Sequence, residues 1–420
     1  MKKIIKFFKG LGPGFITGAS DDDPSGIGTY SQTGAQFGYN QLWASPFSFP
    51  FMTVIQEMCG RIGLVTGRGL SGVIKVHYAR PVLYGAVLLL FVANTINIGA
   101  NLGAMASSMQ LIINLPFVFL LLAITVVTIF LEIYVPYPAY ARILKYLTLS
   151  LFAYIITFFI IKQDWRQIAL STLIPQITFS REYLLNIVAL LGTTISPYLF
   201  FWQADQEVEE EIAQHKIVAF GKGIPRVTRS DIRKMRIDTI IGMFFSNIVM
   251  FFIIATTAST LHANNIFEIT TADQAAVALR PLAGEFAFLL FAAGIVGTGL
   301  LAVPVLAGSA SYALSEAIGW KAGLNKKFSR AHGFYIVIAL ATLGGLLVNL
   351  TPIEPFQLLY YTAVINGIIA PPLMILLLLI SNNKKIMHEH TNSLFSNVLG
   401  VIITCIMLLA SVLLLVSIFF

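Results

Sequence analysis

Gly12-Pro13-Gly14-Phe15-Ile16-Thr17-Gly18-Ala19-Ser20-Asp21-Asp22-Asp23-Pro24-Ser25-Gly26-Ile27-Gly28-Thr29-Tyr30 opens the first apolar stretch of the chain, which continues to Gly38-Tyr39. Three carboxylates sit in the middle of a segment long enough to be a membrane helix. One Asp at the centre of such a helix costs roughly 2.5–3.5 kcal/mol on insertion scales, so carboxylates there are rare and usually functional. Pro24 removes a backbone donor and Gly26 widens the permitted φ range, so the helix is expected to break where the charge lies. An interrupted helix with an anion at its break is how transporters build a cation site near the bilayer midplane.

Outward from that stretch, the chain is 57% hydrophobic and only 11% charged over 420 residues, with a mean hydropathy of +0.80. Apolar runs long enough to cross a hydrocarbon core of about 30 Å recur along its whole length. Eleven can be drawn: Pro13–Tyr39, Trp43–Arg61, Val82–Ile112, Leu115–Val135, Ile143–Lys162, Leu184–Trp202, Thr239–Leu261, Phe286–Ile318, Gly333–Leu350, Leu358–Ile380 and Val398–Phe420. This predicts an all-α integral membrane protein, one transmembrane domain over residues 1–420, with the lipid bilayer as its solvent. The charged connection from Asp205 to Arg236 reads as a loop with short helices. Met1–Gly10 is basic, but no small-residue cleavage site follows a short apolar core, so no cleavable signal peptide is expected.

The net charge of +7 does not point to nucleic acid, because the positive residues gather in alternate loops. With the N-terminus in the cytoplasm, the inside segments hold Lys2, Lys3, Lys6, Lys9, Arg61, Arg68, Lys75, Arg80, Arg142, Lys145, Lys216, Lys222, Arg226, Arg229, Arg233, Lys234, Arg236, Lys321, Lys326, Lys327, Arg330, Lys384 and Lys385. Lys162, Arg166, Arg181 and Arg280 fall outside. That asymmetry satisfies the positive-inside rule, with the C-terminus extracytoplasmic. Cys59 and Cys405 lie far apart inside spans and read as two small buried hydrophobes. All six histidines fall in loops or at helix ends, which argues against a histidine ligand or proton relay at midplane.

A second break is expected one repeat later, in the sixth span. Leu191-Gly192-Thr193-Thr194-Ile195-Ser196-Pro197-Tyr198 provides it, with Gly192 and Pro197 bracketing a short polar segment. Its hydroxyls, Thr193, Thr194 and Ser196, are expected to face inward, because irregular backbone at membrane depth is tolerated only where it lines a cavity. The alternative is a proline kink whose hydroxyls bond back to their own helix.

These residues carry a resemblance. Gly12-Pro13-Gly14-Phe15, Asp23-Pro24-Ser25-Gly26 and Gly34-Ala35-Gln36-Phe37-Gly38-Tyr39 resemble the first span of the Nramp family of divalent-metal transporters. Gln56 with Arg61-Ile62-Gly63-Leu64-Val65-Thr66-Gly67 is similar to that family's second span and following loop, and Asp238 and Asn247 match an Asp and an Asn of its seventh. The resemblance implies a LeuT-like fold. Two inverted five-helix repeats would span residues 11–180 and 181–382, helices 1 and 6 would be broken at midplane, and an eleventh helix would occupy 395–420.

Departures from the family pattern set the expected chemistry. Ser25 replaces the motif's Gly, and Gly26 replaces its metal-binding Asn. Ser196-Pro197-Tyr198 stands for Met-Pro-His, Gln203 for a second His, and Asn94 and Asn97 for an Asp and a Glu that serve proton movement. Loss of the thioether removes a bias toward softer transition metals. Magnesium takes oxygen ligands and gives up water reluctantly, so a larger, oxygen-only cavity with one carboxylate suits it. This pattern is similar to the Nramp-related magnesium transporters. The expectation is an inner-membrane carrier for magnesium, with manganese tolerated, working by alternating access without a proton. An inside-negative potential would contribute about 4.6 kcal/mol per divalent ion per 100 mV. The alternatives are a proton-coupled manganese or iron symporter, and a LeuT-fold carrier in which Asp23 meets a small cationic organic solute.

Candidate metal-site residues are Asp23, Gly26, Ser20, Thr193, Ser196 and Asn366, with carbonyls near Ser20 and Thr193 as added ligands. Asp23 also reads as a cap for the second half-helix, and Asn366 as an interhelical hydrogen bond. Asp22 and Asp21 lie about 100° and 200° around the helix from Asp23, so at most one shares the cavity. Asn94, Asn97 and Asn101 form one polar stripe, and Tyr198 and Gln203 are expected to join it in a neutral network along the pathway. The acidic run Asp205, Glu207, Glu209, Glu210 and Glu211 reads as a solvated face or as an electrostatic funnel for departing cations. The chain has no phosphate-binding Gly-rich loop, zinc spacing or nucleophile constellation, so neither an enzyme nor a cofactor is expected.

Overall fold

The computed structural model describes residues 12–135, 148–178, 180–223 and 225–419. Lys2, Lys3, Lys6, Lys9, Arg142, Lys145 and the start of the fifth span lie outside the described residues. Its longer helices are α1 (Pro13–Asp21), α2 (Pro24–Phe37), α3 (Ala44–Thr66), α4 (Leu70–His77), α5 (Arg80–Gln110), α6 (Phe117–Tyr134), α7 (Phe152–Ile160), α8 (Trp165–Leu173), α9 (Arg181–Thr194), α10 (Pro197–Ala213), α11 (Arg229–Thr260), α12 (Ala287–Ile318), α13 (His332–Val348), α14 (Pro355–Asn382) and α15 (Leu394–Phe419). Every span drawn from the sequence overlaps one of these helices or a broken pair. Seven stretches among the described residues are long and apolar enough to cross a membrane by length and composition alone. The broken first span is not among them because of its three carboxylates, whereas the sixth span, also interrupted, is.

Both predicted breaks are present, and they share one layout. Asp22 leaves the helical region (φ −85°, ψ 50°), Asp23 is extended (φ −71°, ψ 170°), and Pro24 starts α2. Ile195 leaves it in the same way (φ −120°, ψ 62°), Ser196 is extended (φ −80°, ψ 130°), and Pro197 starts α10. Proline suits the first helical position because its missing N–H would have had no intrahelical partner there, and its ring presets φ. Each break is therefore a stop followed by a restart.

The helices sort into two groups. α1 and α2 pack on α11, and α10 packs on α3 and, less extensively, on α12. α5 packs on α12, α13 and α6, which makes a second body. Close approach between α1 and α11 depends on glycine. A Cβ at Gly18 would stand 2.6 Å from Gly242 Cα, and one at Gly14 would stand 2.6 Å from the Thr239 amide. Outward faces of the second body carry Leu88, Val92, Val118, Phe119, Val126, Phe130, Leu343 and Leu347, all exposed. Such a surface fits lipid tails rather than water.

Three readings of the sequence need correction. α3 continues past Arg61 to Thr66 and ends at Gly67, whose φ of 60° is the left-handed stop that glycine adopts without strain. The connection after Asp205 is not a loop with short helices: α10 runs on to Ala213, and α11 begins at Arg229. Cys405 is exposed on the outer face of α15, whereas Cys59 is buried.

Arg61 is thereby placed inside the bundle, and its charge is matched. Glu57, one turn earlier on α3, accepts from Arg61 Nη2 at 3.2 Å and from Arg236 Nη2 of α11 at 3.0 Å. Arg61 also donates to the His390 carbonyl and to Asn392 Oδ1, which ties α3 to the segment leading into α15. Removing one partner of a buried pair leaves an uncompensated charge and typically costs about 3–5 kcal/mol. Glu57→Ala is therefore expected to lower the thermal midpoint of the detergent-purified protein markedly. A midpoint equal to wild type would show that Arg61 finds another anion.

Candidate ion site at the crossing of two broken helices

Asp23 caps α2. Its Oδ1 accepts from the Gly26 amide at 2.8 Å and from Ser25 Oγ at 2.6 Å, as the sequence reading of a half-helix cap anticipated. Its Oδ2 accepts from Asn101 Nδ2 on α5 at 3.0 Å. Asp23 is 1% exposed, and among the described residues no cationic side chain bonds it. The two breaks meet at Gly26: the space a side chain would fill there is bounded by the Asp21 carbonyl at 3.2 Å, Thr193 Oγ1 at 3.4 Å and Tyr30 Cε2 at 3.4 Å. The room freed by Gly26 is therefore lined by two oxygens and closed by a ring; the open, enlarged cavity drawn from the sequence is not seen.

Tyr198 joins the two half-helix pairs directly, its hydroxyl donating to the Ser20 carbonyl at 3.1 Å. Ser196 Oγ donates to the carbonyls of Thr193 (2.8 Å) and Gly192 (2.9 Å), and Thr194 Oγ1 to that of Leu190 (2.9 Å). Thr194 and Ser196 thus follow the proline-kink alternative and bond back to their own helix, because a freed carbonyl is the nearest acceptor. Thr193 is the hydroxyl turned toward the first break. The Ser20 and Thr193 carbonyls each hold one hydrogen bond, and a carbonyl oxygen has two lone pairs. Asn366 on α14 is 1% exposed, and neither its amide nitrogen nor its oxygen has a partner. It is not the interhelical bond that the alternative reading offered.

Asp21 and Asp22 behave differently from their helical spacing. Ser246 Oγ on α11 lies 2.6 Å from Asp21 Oδ2 and 3.3 Å from Asp22 Oδ1, so both carboxyls meet one hydroxyl. The 100° rule fails because the helix ends at Asp21 and the backbone turns through Asp22. Asp21 Oδ1 has no partner.

The neutral network expected along α5 does not form as drawn. Asn94 donates to the Leu306 carbonyl and Ser309 of α12, and Asn97 accepts from Thr362 of α14. Gln203 donates to Glu207 at 2.9 Å. Tyr198 and Gln203 are five residues apart, about 140° around α10, and so face different neighbours. The third member of the stripe, Asn101, is the one that reaches the site. Ser246 and the Asp21 carbonyl were also missed; nothing in a lone hydroxyl or a backbone atom marks them in a sequence.

The acidic run is buried rather than solvated. Asp205, Glu207, Glu209 and Glu211 are all under 7% exposed. Glu209 accepts from Tyr312 and Asn325, each at 2.9 Å. At the far end of α1, Asp238 accepts from the Gly12 and Gly14 amides at 3.0 and 2.9 Å and so caps that half-helix from α11. Asn247 bonds Ser45 and Ser48 of α3.

Two interrupted helices crossing inside an all-helical bundle of membrane-spanning length define a membrane transporter of the LeuT-like fold. The Nramp family model (natural resistance-associated macrophage protein-like) matches residues 14–417, and the chain belongs to that family of divalent-metal transporters. A curated relative, the divalent metal cation transporter MntH of Caldanaerobacter subterraneus subsp. tengcongensis, is 23% identical over 421 aligned residues, 98% of this chain and 94% of that protein. The crystal structure of a manganese transporter from Eremococcus coleocola superposes with a TM-score of 0.74 at 16% identity, over 98% of this chain and 87% of the other. Mhp1 in its inward-facing conformation gives 0.57 at 13% identity, over 96% and 89% of the two chains.

Proposed function

We propose that this protein carries a divalent cation across the inner membrane by alternating access, magnesium with manganese tolerated, and without an obligatory proton. Residues 11–180 and 181–382 act as the two repeats, the N-terminus is cytoplasmic and the C-terminus extracytoplasmic. The observation that carries this reading is the junction of the breaks. One carboxylate, Asp23, is bonded there by a hydroxyl and two N–H donors, and the space beside Gly26 is lined by the Asp21 carbonyl and Thr193 Oγ1, with neither thioether nor imidazole among these groups. Asp23, Gly26, Ser20, Thr193, Ser196 and Asn366 would surround the ion, the unpaired amide of Asn366 supplying its carbonyl oxygen. The carbonyl ends of α1 and α9 carry the negative end of their helix dipoles toward the same point, which favours a cation. A hydrated magnesium ion is content with few direct protein ligands.

A second reading, proton-coupled manganese uptake, draws on Asp21 and Asp22, whose paired carboxyls offer a place for a proton. It also draws on the similarity to a divalent metal cation transporter and a manganese transporter. Proteoliposomes with an internal pH dye separate the two. Magnesium or manganese influx with no acidification is the expected result; acidification that tracks metal influx would overturn the uncoupled reading.

A further inference from the structure

Asp205 lies on α10 eight residues beyond Pro197, about 12 Å along the helix from the break at 1.5 Å per residue. It is 1% exposed, and neither carboxyl oxygen has a hydrogen-bond partner among the described residues. Its Oδ1 and Glu316 Oε2 of α12 converge on one point: both occupy the space that a side chain on Gly69 would take. Glu316 is held from the other side by the Gly69 and Gly72 amides, each at 3.0 Å, and by Ser71 Oγ at 3.1 Å. These donors at the start of α4 fix an anion in place, since the first amides of a helix are unpaired and its dipole favours negative charge.

Among the described residues no cation makes an ion pair with either carboxyl, although the charge of Arg68 acts on Glu316 from a distance. Arg68 donates to the Gly221 carbonyl and Lys75 to the Glu316 carbonyl. Glu209, Glu210 and Glu211 follow on the same helix and add to the negative potential at its C-terminal end. A buried carboxyl pressed against another, with no donor of its own, is costly unless a cation lies between them or one of the two takes up a proton.

We propose that Asp205 and Glu316 hold a divalent cation between them, a second ion site separate from the helix breaks. Two carboxylates with water filling the remaining positions is an ordinary shell for magnesium or manganese. In the proposed orientation this site lies on the cytoplasmic side, where it would receive an ion leaving Asp23. Its existence does not depend on that reading.

Manganese alone, with the purified full-length protein, provides the test. Crystals soaked in manganese are expected to show anomalous density between Asp205 and Glu316. Asp205→Asn is expected to weaken that manganese at least tenfold in equilibrium titration, whereas Asp23→Asn retains it. The Asn variant keeps the shape of Asp205 and breaks no existing hydrogen bond, so folding is not at issue. Wild-type manganese stoichiometry and affinity in Asp205→Asn, the outcome if Asp205 merely carries a proton, would overturn the proposal. So would an absence of density at this position, or its loss in Asp23→Asn.

Discussion

Asp23→Asn is expected to lower divalent-cation flux at least about 100-fold, the equivalent of roughly 2.7 kcal/mol of lost interaction, while leaving the fold nearly intact. The substitution removes the charge and little else. The Asn carbonyl oxygen can still accept from the Gly26 amide and Ser25, so the cap on α2 survives. Where Oδ2 accepted from Asn101, the new amide nitrogen is a donor. Asn101 can answer by turning its own amide, because its oxygen has no other partner. Asp23→Ala lacks these repairs and combines loss of function with loss of the cap, which makes it the weaker experiment. Flux through Asp23→Asn in proteoliposomes at the wild-type rate would mean that the ion is held elsewhere.

Gly242→Leu is the second large effect expected. A Cβ built at Gly242 stands 3.0 Å from Phe15 Cα and nearer still to the Gly14 carbonyl, so a leucine must push α1 away from α11. Backbone cannot yield as a side-chain tip can, and overpacking of this kind costs about 1–3 kcal/mol when the structure absorbs it. Displacing α1 also pulls the Gly12 and Gly14 amides off Asp238. The variant should therefore lose most transport and rest with α1 open. A cysteine at Ser20, buried in the native chain, should then react with a water-soluble thiol reagent in a background lacking Cys59 and Cys405. Normal flux with an unreactive Ser20→Cys would show that this contact does not gate the path.

The fold was largely legible in the chain because its decisive features are local. Asp-Pro and Ser-Pro at a helix restart act through one missing N–H and one fixed φ, and both breaks fall where those dipeptides stand. Apolar length, which the bilayer sets, marks seven stretches among the described residues as able to cross a membrane. The site was legible only where a charge or a proline marked it. Asn101 was visible as part of a stripe, but which Asn of three meets Asp23 depends on how α5 is rotated against α2. Asp21 and Asp22 were misplaced because a helical angle was applied across residues that leave the helix. A solvated face or a funnel is what an acidic run suggests, because charge normally seeks water; here Tyr312, Asn325 and Gln203, distant or unmarked in sequence, take part of water's role.

Asp23 has a limited number of lone pairs to give. Two donors already saturate Oδ1, and Asn101 occupies one side of Oδ2, so this carboxylate offers an arriving metal one free position. On the proposed reading its denticity is one. The greater part of the ion's inner sphere must then come from solvent and neutral oxygens, an arrangement that rewards a cation slow to shed its hydration.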